Sequence, residues 1–277
     1  MCAKLKETVL PNGMTAFCLR KEEVPLVYQQ VQEYLKNGIE LNQGDTVFDV
    51  GANIGLFSLY LYQKLHFDLN IYAFEPIPVL YEVLKQNAER LDTEQLKVFP
   101  FGLSQERKSV MFGYHPNASP LSTAYPEDSI RERDKLKQAV LSNFSSSPAV
   151  QKLKWFPPFL RSWMIDRKLN QIFQFEQVHC ELKTLSEVMV EQKIKHIDLL
   201  KVDVERSELD VLLGIKVEDW PKIKQVVVEV HDLENRIEKV TTLLKKHGFR
   251  NIVVEQELML KGSDIFNIYA SNKVNFT

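Results

Sequence analysis

The stretch from Val47 to Ser58 constrains this chain more than any other. An apolar run suited to a buried strand is followed by two glycines, Gly51 and Gly55, and then by the start of a helical pattern of apolar residues. This order predicts a strand, a tight glycine turn and a helix. In such a turn, backbone N–H groups and a helix N-terminus face a ligand, because glycine has no Cβ to hold the ligand away.

The residues around this turn predict the kind of ligand. The glycines enclose Asn53 in the spacing Gly-x-Asn-x-Gly, which differs from the Gly-x-Gly-x-x-Gly of a dinucleotide fold. Asp49 precedes the turn, and its carboxylate would repel a pyrophosphate and attract a cation. Glu75, followed by Pro76, ends a second predicted strand, where a carboxylate can accept hydrogen bonds from both ribose hydroxyls. A positively charged, nucleoside-like ligand fits best; an ordinary buried turn with an unrelated glutamate is the alternative.

Two further segments are predicted to border the same ligand. A third strand over residues 96–101 ends at Gly102, and its turn can hold an adenine through backbone groups and the Ser104 hydroxyl. A helix over residues 25–39 can close over the ligand with Tyr34, for which a packing role is the alternative. Together the glycine turn and Glu75 resemble the S-adenosylmethionine site of class I methyltransferases.

The remaining pattern predicts an α/β fold. Strands and helices alternate over residues 40–277, which predicts a seven-stranded, mostly parallel, Rossmann-like sheet with helices on both faces. The alternation breaks at about 115–178, where we expect a helical lid insertion. Residues 1–39 are predicted to form an N-terminal flap, with a hairpin turn at Asn12-Gly13, followed by the helix.

Composition excludes several classes of protein. A formal net charge of −2 over 277 residues argues against a chain that binds nucleic acid through its whole surface. The apolar runs are too short for a membrane span, and no signal-peptide core follows the first residues. The three widely spaced cysteines predict free thiols in a reducing compartment. We therefore expect a cytoplasmic protein with no membrane span and no nucleic-acid partner.

Charge is distributed unevenly along the chain. Residues 131–170 contain nine basic and three acidic side chains and so carry +6, which leaves −8 for the remainder. This asymmetry favours an anionic partner for the insertion. A solvated helical face without a partner is the alternative.

Two pairs of polar residues follow the later predicted strands and suggest the chemistry. Asp203 and Glu205 form one pair, and Glu229 and His231 form the other. Side chains two apart in an extended segment point the same way, so we expect each pair to project together beside the ligand.

Methyl transfer from a sulfonium needs positioning, and it also needs a base when the acceptor is a poorly acidic hydroxyl. His231 is the best candidate base, because its unperturbed pKa of about 6.5 lets it be neutral near pH 7. Glu229 or Glu205 can orient the imidazole, and Asp203 can contact the donor's ammonium group or the acceptor. Alternatively, these four residues bind Mg²⁺ or a similar ion. We rank the metal second, because a single cation leaves an excess of carboxylate.

Four segments together resemble the FkbM family of S-adenosylmethionine-dependent O-methyltransferases. The matching segments are 47–55 (VFDVGANIG), 74–76 (FEP), 200–214 (LKVDVERSELDVLLG) and 228–231 (VEVH). The resemblance covers about residues 40–112 and 178–270. Many members have Gly-Ala where this chain has Arg206-Ser207, and this difference predicts a long cation near the site entrance.

The flap, the insertion and residues 219–223 look like the members that work with polyketide and nonribosomal peptide assembly lines. That resemblance implies S-adenosylmethionine as donor, S-adenosylhomocysteine as product, and an acceptor hydroxyl tethered to an acyl or peptidyl carrier protein. A basic insertion fits an acidic carrier domain whose tether bears a phosphate. The alternatives are a free sugar or small-molecule hydroxyl, with or without a metal, and a nucleoside-binding module without turnover.

Overall fold

A computed structural model describes residues 5–66, 68–128, 133, 137, 158–257 and 261–272. The chain divides into two compact units. The first comprises Met1–Met111 and His179–Thr277, and the second comprises Phe112–Val178. The predicted boundary at residue 39 and the predicted role of the insertion as a lid stay predictions.

The described residues form strands and helices that alternate along the chain. The strands are β1 (Lys6–Val9), β2 (Thr15–Cys18), β3 (Thr46–Val50), β4 (Asn70–Phe74), β5 (Leu96–Phe99), β6 (Gly102–Leu103), β7 (Lys108–Tyr114), β8 (Glu176–Lys183), β9 (Leu199–Val202), β10 (Gln225–His231), β11 (Asn251–Glu255) and β12 (Ile265–Ser271). The helices are α1 (Val24–Val31), α2 (Leu56–Lys64), α3 (Pro78–Glu89), α4 (Pro158–Ile172), α5 (Leu185–Glu191), α6 (Glu208–Leu213) and α7 (Arg236–Lys246). A 3-10 turn over Gln32–Leu35 extends α1.

A seven-stranded sheet in the order β11-β12-β10-β9-β3-β4-β5 organises the first unit. The strands from β10 to β5 pair in parallel, whereas β12 runs antiparallel to both β10 and β11. This mostly parallel sheet confirms the predicted fold class. Because the strands are parallel, β3, β4, β9 and β10 end at one edge of the sheet, which is where ligands bind in such folds.

Helices cover both faces of the sheet, so its central strands are apolar almost throughout. Every residue of β10 is buried. Successive residues of β9 pack into different clusters: Leu199 joins one hydrophobic cluster and Leu200 joins the other. The alternation is the two-residue period of a strand with a core on each side.

The third predicted strand is shorter than expected. β5 ends at Phe99, and Pro100 cannot donate a ladder hydrogen bond. Gly102 and Leu103 instead form β6, which pairs in parallel with β8 through Gly102 and Leu182 in a separate three-stranded sheet.

The second unit is described through α4 and the segments on either side of it. Arg133 Nη2 and Lys137 Nζ lie 3.0 and 2.6 Å from the carboxylate oxygens of Asp166 on α4. Residues 129–132, 134–136 and 138–157, which hold much of the predicted basic segment, lie outside the described residues. In the part of the chain that is described, no helix has the length and apolar character needed to cross a membrane.

Candidate active site

The glycine turn connects β3 to α2 at the carboxyl edge of the sheet. Gly51 has φ +77°, and a Cβ there would lie 1.7 Å from the carbonyl oxygen of Asp203. Gly55 has φ +86°, and a Cβ would lie 2.7 Å from Leu84 Cδ1. The sequence interpretation assigned both glycines to the approach of a ligand. The structure shows a second reason for glycine at position 51, because its lack of a Cβ lets the ends of β3 and β9 pack closely.

Asp49 lies on β3 and is completely buried. Its Oδ1 accepts a hydrogen bond from Lys201 Nζ at 3.0 Å, and its Oδ2 accepts one from the Ser58 hydroxyl at 2.8 Å. Lys201 also donates to the carbonyl of Gly51 at 2.9 Å. Lys201 already supplies the cation that the sequence predicts for Asp49, and its charge balances that of Asp49. A contact between Asp49 and a ligand therefore stays a prediction.

Lys201 is the main residue that the sequence interpretation missed. Burial disfavours its charge, but the neighbouring Asp49 and Asp203 outweigh that effect and raise the pKa of Lys201. The ammonium group is therefore charged inside the protein. The available signal was a lysine within the otherwise apolar strand β9.

Glu75 follows β4 and connects the glycine turn to the start of α3. Its Oε2 accepts the N–H of Asn53 and its Oε1 accepts the N–H of Ile77, both at 2.9 Å. Burial raises the pKa of Glu75 to about 8, although the two hydrogen bonds oppose the shift. The carboxyl group is therefore mostly protonated at pH 7.

The structure packs Gly102 and Ser104 against protein groups. A Cβ on Gly102 would lie 3.2 Å from Cγ of Pro76. The backbone N–H of Ser104 donates to the carbonyl of Lys183 at 2.8 Å, and its carbonyl oxygen would lie 2.1 Å from a Cβ on Gly214. These contacts hold β6 in place, and contact of Gly102, Ser104 or Pro76 with an adenosine stays a prediction.

Three carboxylates converge where β9 and β10 end. Asp203, Glu205 and Glu229 each contribute an oxygen, and these oxygens lie within 4.8 Å of one another. We call these three residues the acidic cluster. Burial raises the pKa of Glu205 against the influence of His231. Burial, with Asp203 and Glu205, raises the pKa of Glu229 well above its ordinary value.

Glu205 reaches this cluster by a route that differs from the predicted one. We expected Asp203 and Glu205 to project together from an extended segment. β9 ends at Val202, however, and Glu205 and Arg206 have φ values of +45° and +81°. A left-handed turn, rather than strand alternation, brings Glu205 beside Asp203.

His231 lies between two carboxylates. Its Nε2 is 3.2 Å from Oε2 of Glu205, and its Nδ1 is 3.1 Å from Oε1 of Glu208. Burial disfavours protonation, but Glu205 and then Glu208 outweigh it and raise the pKa of His231 to about 11. The two carboxylates stabilise the proton of His231 and so argue against a neutral imidazole near pH 7, and His231 as the base stays a prediction. The sequence interpretation also missed Glu208 as one of these partners.

Glu229 and Tyr34 connect the acidic cluster to the N-terminal segment. Gln30 Nε2 donates to Glu229 Oε2 at 2.9 Å. The Tyr34 hydroxyl donates to Asp203 Oδ2 at 2.9 Å and lies 3.4 Å from Glu229 Oε2. Glu229 therefore meets Gln30 and Tyr34, whereas Glu205 and Glu208 orient the imidazole. A direct contact of Tyr34 with a ligand stays a prediction.

Arg206 was expected as a cation near the site entrance. Its side chain is buried, with 7% of the residue exposed, and its backbone N–H donates to Glu208 Oε1 at 2.6 Å. Compared with the Gly-Ala of many family members, Arg206 therefore places a buried side chain at the turn after β9, and the expected cation at the site entrance is not seen there.

The sheet order and the polar groups at its carboxyl edge define a class I methyltransferase fold. The chain matches the profile of the methyltransferase FkbM domain over residues 49–251. It is 33% identical over 264 residues to the 31-O-demethyl-FK506 methyltransferase FkbM of Streptomyces tacrolimicus, covering 94% of this chain and 95% of that protein. The chain therefore belongs to the FkbM methyltransferase family, and this membership supports S-adenosylmethionine as its methyl donor.

Two other similarities extend the comparison. The chain is 36% identical over 273 residues to the AMB antimetabolite synthetase AmbE of Pseudomonas aeruginosa, covering 95% of this chain and 12% of the synthetase. The crystal structure of a methyltransferase FkbM from Methylobacillus flagellatus superposes with a TM-score of 0.52 at 12% identity, covering 88% of this chain and 50% of that one. The structural likeness concerns the fold alone.

Proposed function

We propose that this chain is an S-adenosylmethionine-dependent O-methyltransferase in which the acidic cluster receives the acceptor hydroxyl. The observation that carries the proposal is the convergence of three carboxylate oxygens within 4.8 Å, with His231 directly behind Glu205. The name of the S. tacrolimicus relative, which describes an O-demethyl compound, supports a hydroxyl as the acceptor.

The donor is proposed to occupy the glycine turn beside the cluster. Backbone N–H groups at the start of α2 and the carboxyl group of Glu75 suit the adenosine, with the ribose hydroxyls at Glu75. The ammonium group of the donor would face Asp203, and its methyl group would point towards the acceptor hydroxyl, which would lie between the methyl group and Glu205. β3 and β9 are adjacent strands, so donor and acceptor would meet over neighbouring strand ends.

Transfer forms an O–CH₃ bond and breaks the S–CH₃ bond, whose electron pair remains on sulfur as the thioether of S-adenosylhomocysteine. The hydroxyl proton must leave at the same time. We propose that Glu205, rather than His231, accepts this proton. The Glu205 side chain is 21% exposed, whereas both ring nitrogens of His231 face carboxylates. A carboxylate whose pKa is raised by burial is a better base near neutral pH than an ordinary one.

Two acceptors are supported by different observations. Similarity to a region that spans 12% of the AmbE synthetase, together with the basic segment 131–170, favours a polyketide or peptide intermediate bound to a carrier protein. The S. tacrolimicus relative is named for a compound as its substrate, which favours a free small molecule. We place the carrier-bound acceptor first because the +6 segment complements an acidic carrier domain.

A matched pair of acceptors tests this proposal. Hydroxyacyl groups are loaded onto a phosphopantetheinylated carrier protein or supplied as short soluble thioesters, with methyl-labelled S-adenosylmethionine. We expect an alkali-stable methyl ether, formed faster on the carrier. Transfer to soluble thioesters alone would contradict the carrier proposal, and donor binding without transfer to any acceptor would favour a binding module.

A metal-assisted form of the same reaction has support from the spacing of the cluster oxygens, which suits a hard divalent cation. Chelation followed by addition of Mg²⁺ or Mn²⁺ decides between the two forms. Unchanged turnover after chelation supports the carboxylate mechanism. Loss of turnover that Mg²⁺ restores supports the metal.

A further inference from the structure

The turn after β9 holds two adjacent non-glycine residues in left-handed backbone conformations. Glu205 has φ +45° and Arg206 has φ +81°. Such conformations are unfavourable for residues with a side chain and persist only where surrounding contacts hold them. Glycine would adopt them more easily than arginine. This turn therefore depends on its neighbours more than the same turn with a glycine at position 206.

Two side chains hold the backbone of Arg206 from opposite sides. Glu208 accepts the N–H of Arg206 at 2.6 Å, and Arg236 Nη1 donates to the carbonyl of Arg206 at 2.8 Å. Arg236 Nη1 also lies 3.2 Å from Oε2 of Glu208. Glu208 is completely buried, and Arg236 is partly buried at the start of α7.

Glu208 also contacts His231 beside the acidic cluster. Oε1 of Glu208, which accepts the N–H of Arg206, is 3.1 Å from Nδ1 of His231, and Nε2 on the other side of the ring is 3.2 Å from Glu205. Glu205 is thus fixed twice, through its backbone by the turn and through its carboxylate by the imidazole. Both restraints depend on Glu208.

We infer that Glu208 and Arg236 are positioning residues, which hold the left-handed turn so that the Glu205 carboxylate stands beside the acceptor. The inference rests on the proposed role of Glu205 as proton acceptor. We call Glu208 and Arg236 the clamp. The clamp stabilises a turn that arginine, rather than glycine, occupies at position 206. Misplacing a reacting group by about 1 Å costs on the order of 100-fold in rate.

Arg236→Met is the main test, because Arg236 is only partly buried and the variant is expected to fold. We expect kcat to fall about 10- to 100-fold. Donor affinity should stay within about twofold of the wild type, because Asp49 and Lys201 hold the glycine turn without any contact to Arg236. Arg236→Lys, which retains a cation, should recover part of the loss. Lys239→Met, on the exposed face of α7, is the matched control and should match the wild type.

A second-site change separates positioning from simple stability. Adding Arg206→Gly to Arg236→Met relaxes the left-handed turn, so kcat should recover several-fold. In a crystal structure of Arg236→Met alone, the distance between Glu205 and His231 Nε2 should exceed about 4 Å, beyond hydrogen-bond length. Glu208→Gln should displace Glu205 in the same way.

The clamp would be overturned if Arg236→Met kept the wild-type kcat and turn geometry. It would also be overturned if kcat, donor affinity and melting temperature fell together without rescue by Arg206→Gly. Failure of the proposed function looks different, because Glu205→Gln would then turn over at the wild-type rate. An inactive Glu205→Gln beside a fully active Arg236→Met would reject the clamp alone.

Discussion

Two neighbouring groups of buried charge in this protein are built in opposite ways. Asp49 and Lys201 form one carboxylate–ammonium pair whose side chains are 0 and 3% exposed. The acidic cluster of Asp203, Glu205 and Glu229 brings three carboxylates together. Lys201 Nζ lies 3.8 Å from Asp203 Oδ2, so the two groups are almost in contact.

This difference indicates a structural role for the pair of Asp49 and Lys201 and a catalytic role for the acidic cluster. The balanced pair is fully hydrogen-bonded and holds the glycine turn, so its atoms are already committed to the protein. The acidic cluster has more negative than positive charge, raised pKa values at Glu205 and Glu229, and two members that are partly exposed. A carboxyl group that is partly exposed and has a perturbed pKa, as Glu205 does, is typical of functional sites. Three predictions test this division, and one more concerns Glu75 beside the glycine turn.

The largest effect is expected when the balanced pair is broken. Lys201→Met leaves the Asp49 side chain buried without its cation, which should lower the free energy of unfolding by about 3–5 kcal/mol. Urea denaturation measures the loss. Lys85→Met, at an exposed lysine of α3, should stay within about 0.5 kcal/mol of the wild type.

The double variant Asp49→Asn/Lys201→Met removes both charges and should be more stable than Lys201→Met alone. If the double variant were less stable, or if Lys201→Met cost under about 1 kcal/mol, the pair would not be the support that we describe.

The acidic cluster should respond in activity rather than stability. Glu205→Gln removes the proposed proton acceptor and should lower kcat about 100-fold, while the unfolding free energy and donor affinity change little. Steady-state kinetics and calorimetry with S-adenosylmethionine measure the two effects. A rate within twofold of the wild type would exclude Glu205 as the base.

Glu75 should make stability depend on pH. The folded protein keeps this proton up to about pH 8, whereas an ordinary glutamate loses it near pH 4.5. The folded state therefore binds more protons between these values, and the stability contributed by Glu75, complete below pH 4.5, is lost as the pH rises to about 8.

Glu75→Gln should not show this loss. Its melting temperature relative to the wild type should therefore rise between about pH 5 and pH 8. Glu82→Gln, at an exposed position of α3, is the control and should follow the wild-type curve. A constant difference between Glu75→Gln and the wild type across this range would show that Glu75 is ionised throughout.

The smallest effect is expected at Glu229. Burial and its acidic neighbours raise its pKa, so neutralising Glu229 costs less than neutralising an ordinary carboxylate, and a glutamine can still accept from Gln30. Glu229→Gln should change the unfolding free energy by less than about 1 kcal/mol. Asp49→Asn, the same neutralisation within the balanced pair, should cost several times more. Equal losses at both positions would remove the distinction between the two groups.

The sequence predicted what depends on local pattern. Runs such as the four valines of β10 predict a buried parallel strand, and strand ends followed by Asp203 or Glu75 predict groups at the carboxyl edge. The glycine turn likewise follows from its own spacing. These features could be predicted because they depend on residues close together in the chain.

Contacts between distant residues account for what the sequence did not reveal. Lys201 balances Asp49 across 152 positions, so the charge beside the turn could not be predicted from Asp49 alone. The pKa of His231 depends on Glu205 and Glu208, which the left-handed turn at Arg206 brings to opposite sides of the ring. The two-residue period of an extended strand contains no information about such a turn.

We propose that the pair of Asp49 and Lys201 holds the glycine turn while the acidic cluster performs the transfer. A crystal structure with S-adenosylhomocysteine tests it most directly. We predict ribose hydroxyls within hydrogen-bond distance of Glu75 and the thioether sulfur facing Glu205, with the contact between Asp49 and Lys201 unchanged. A nucleoside bound away from Glu75, or a sulfur directed away from the acidic cluster, would contradict the account.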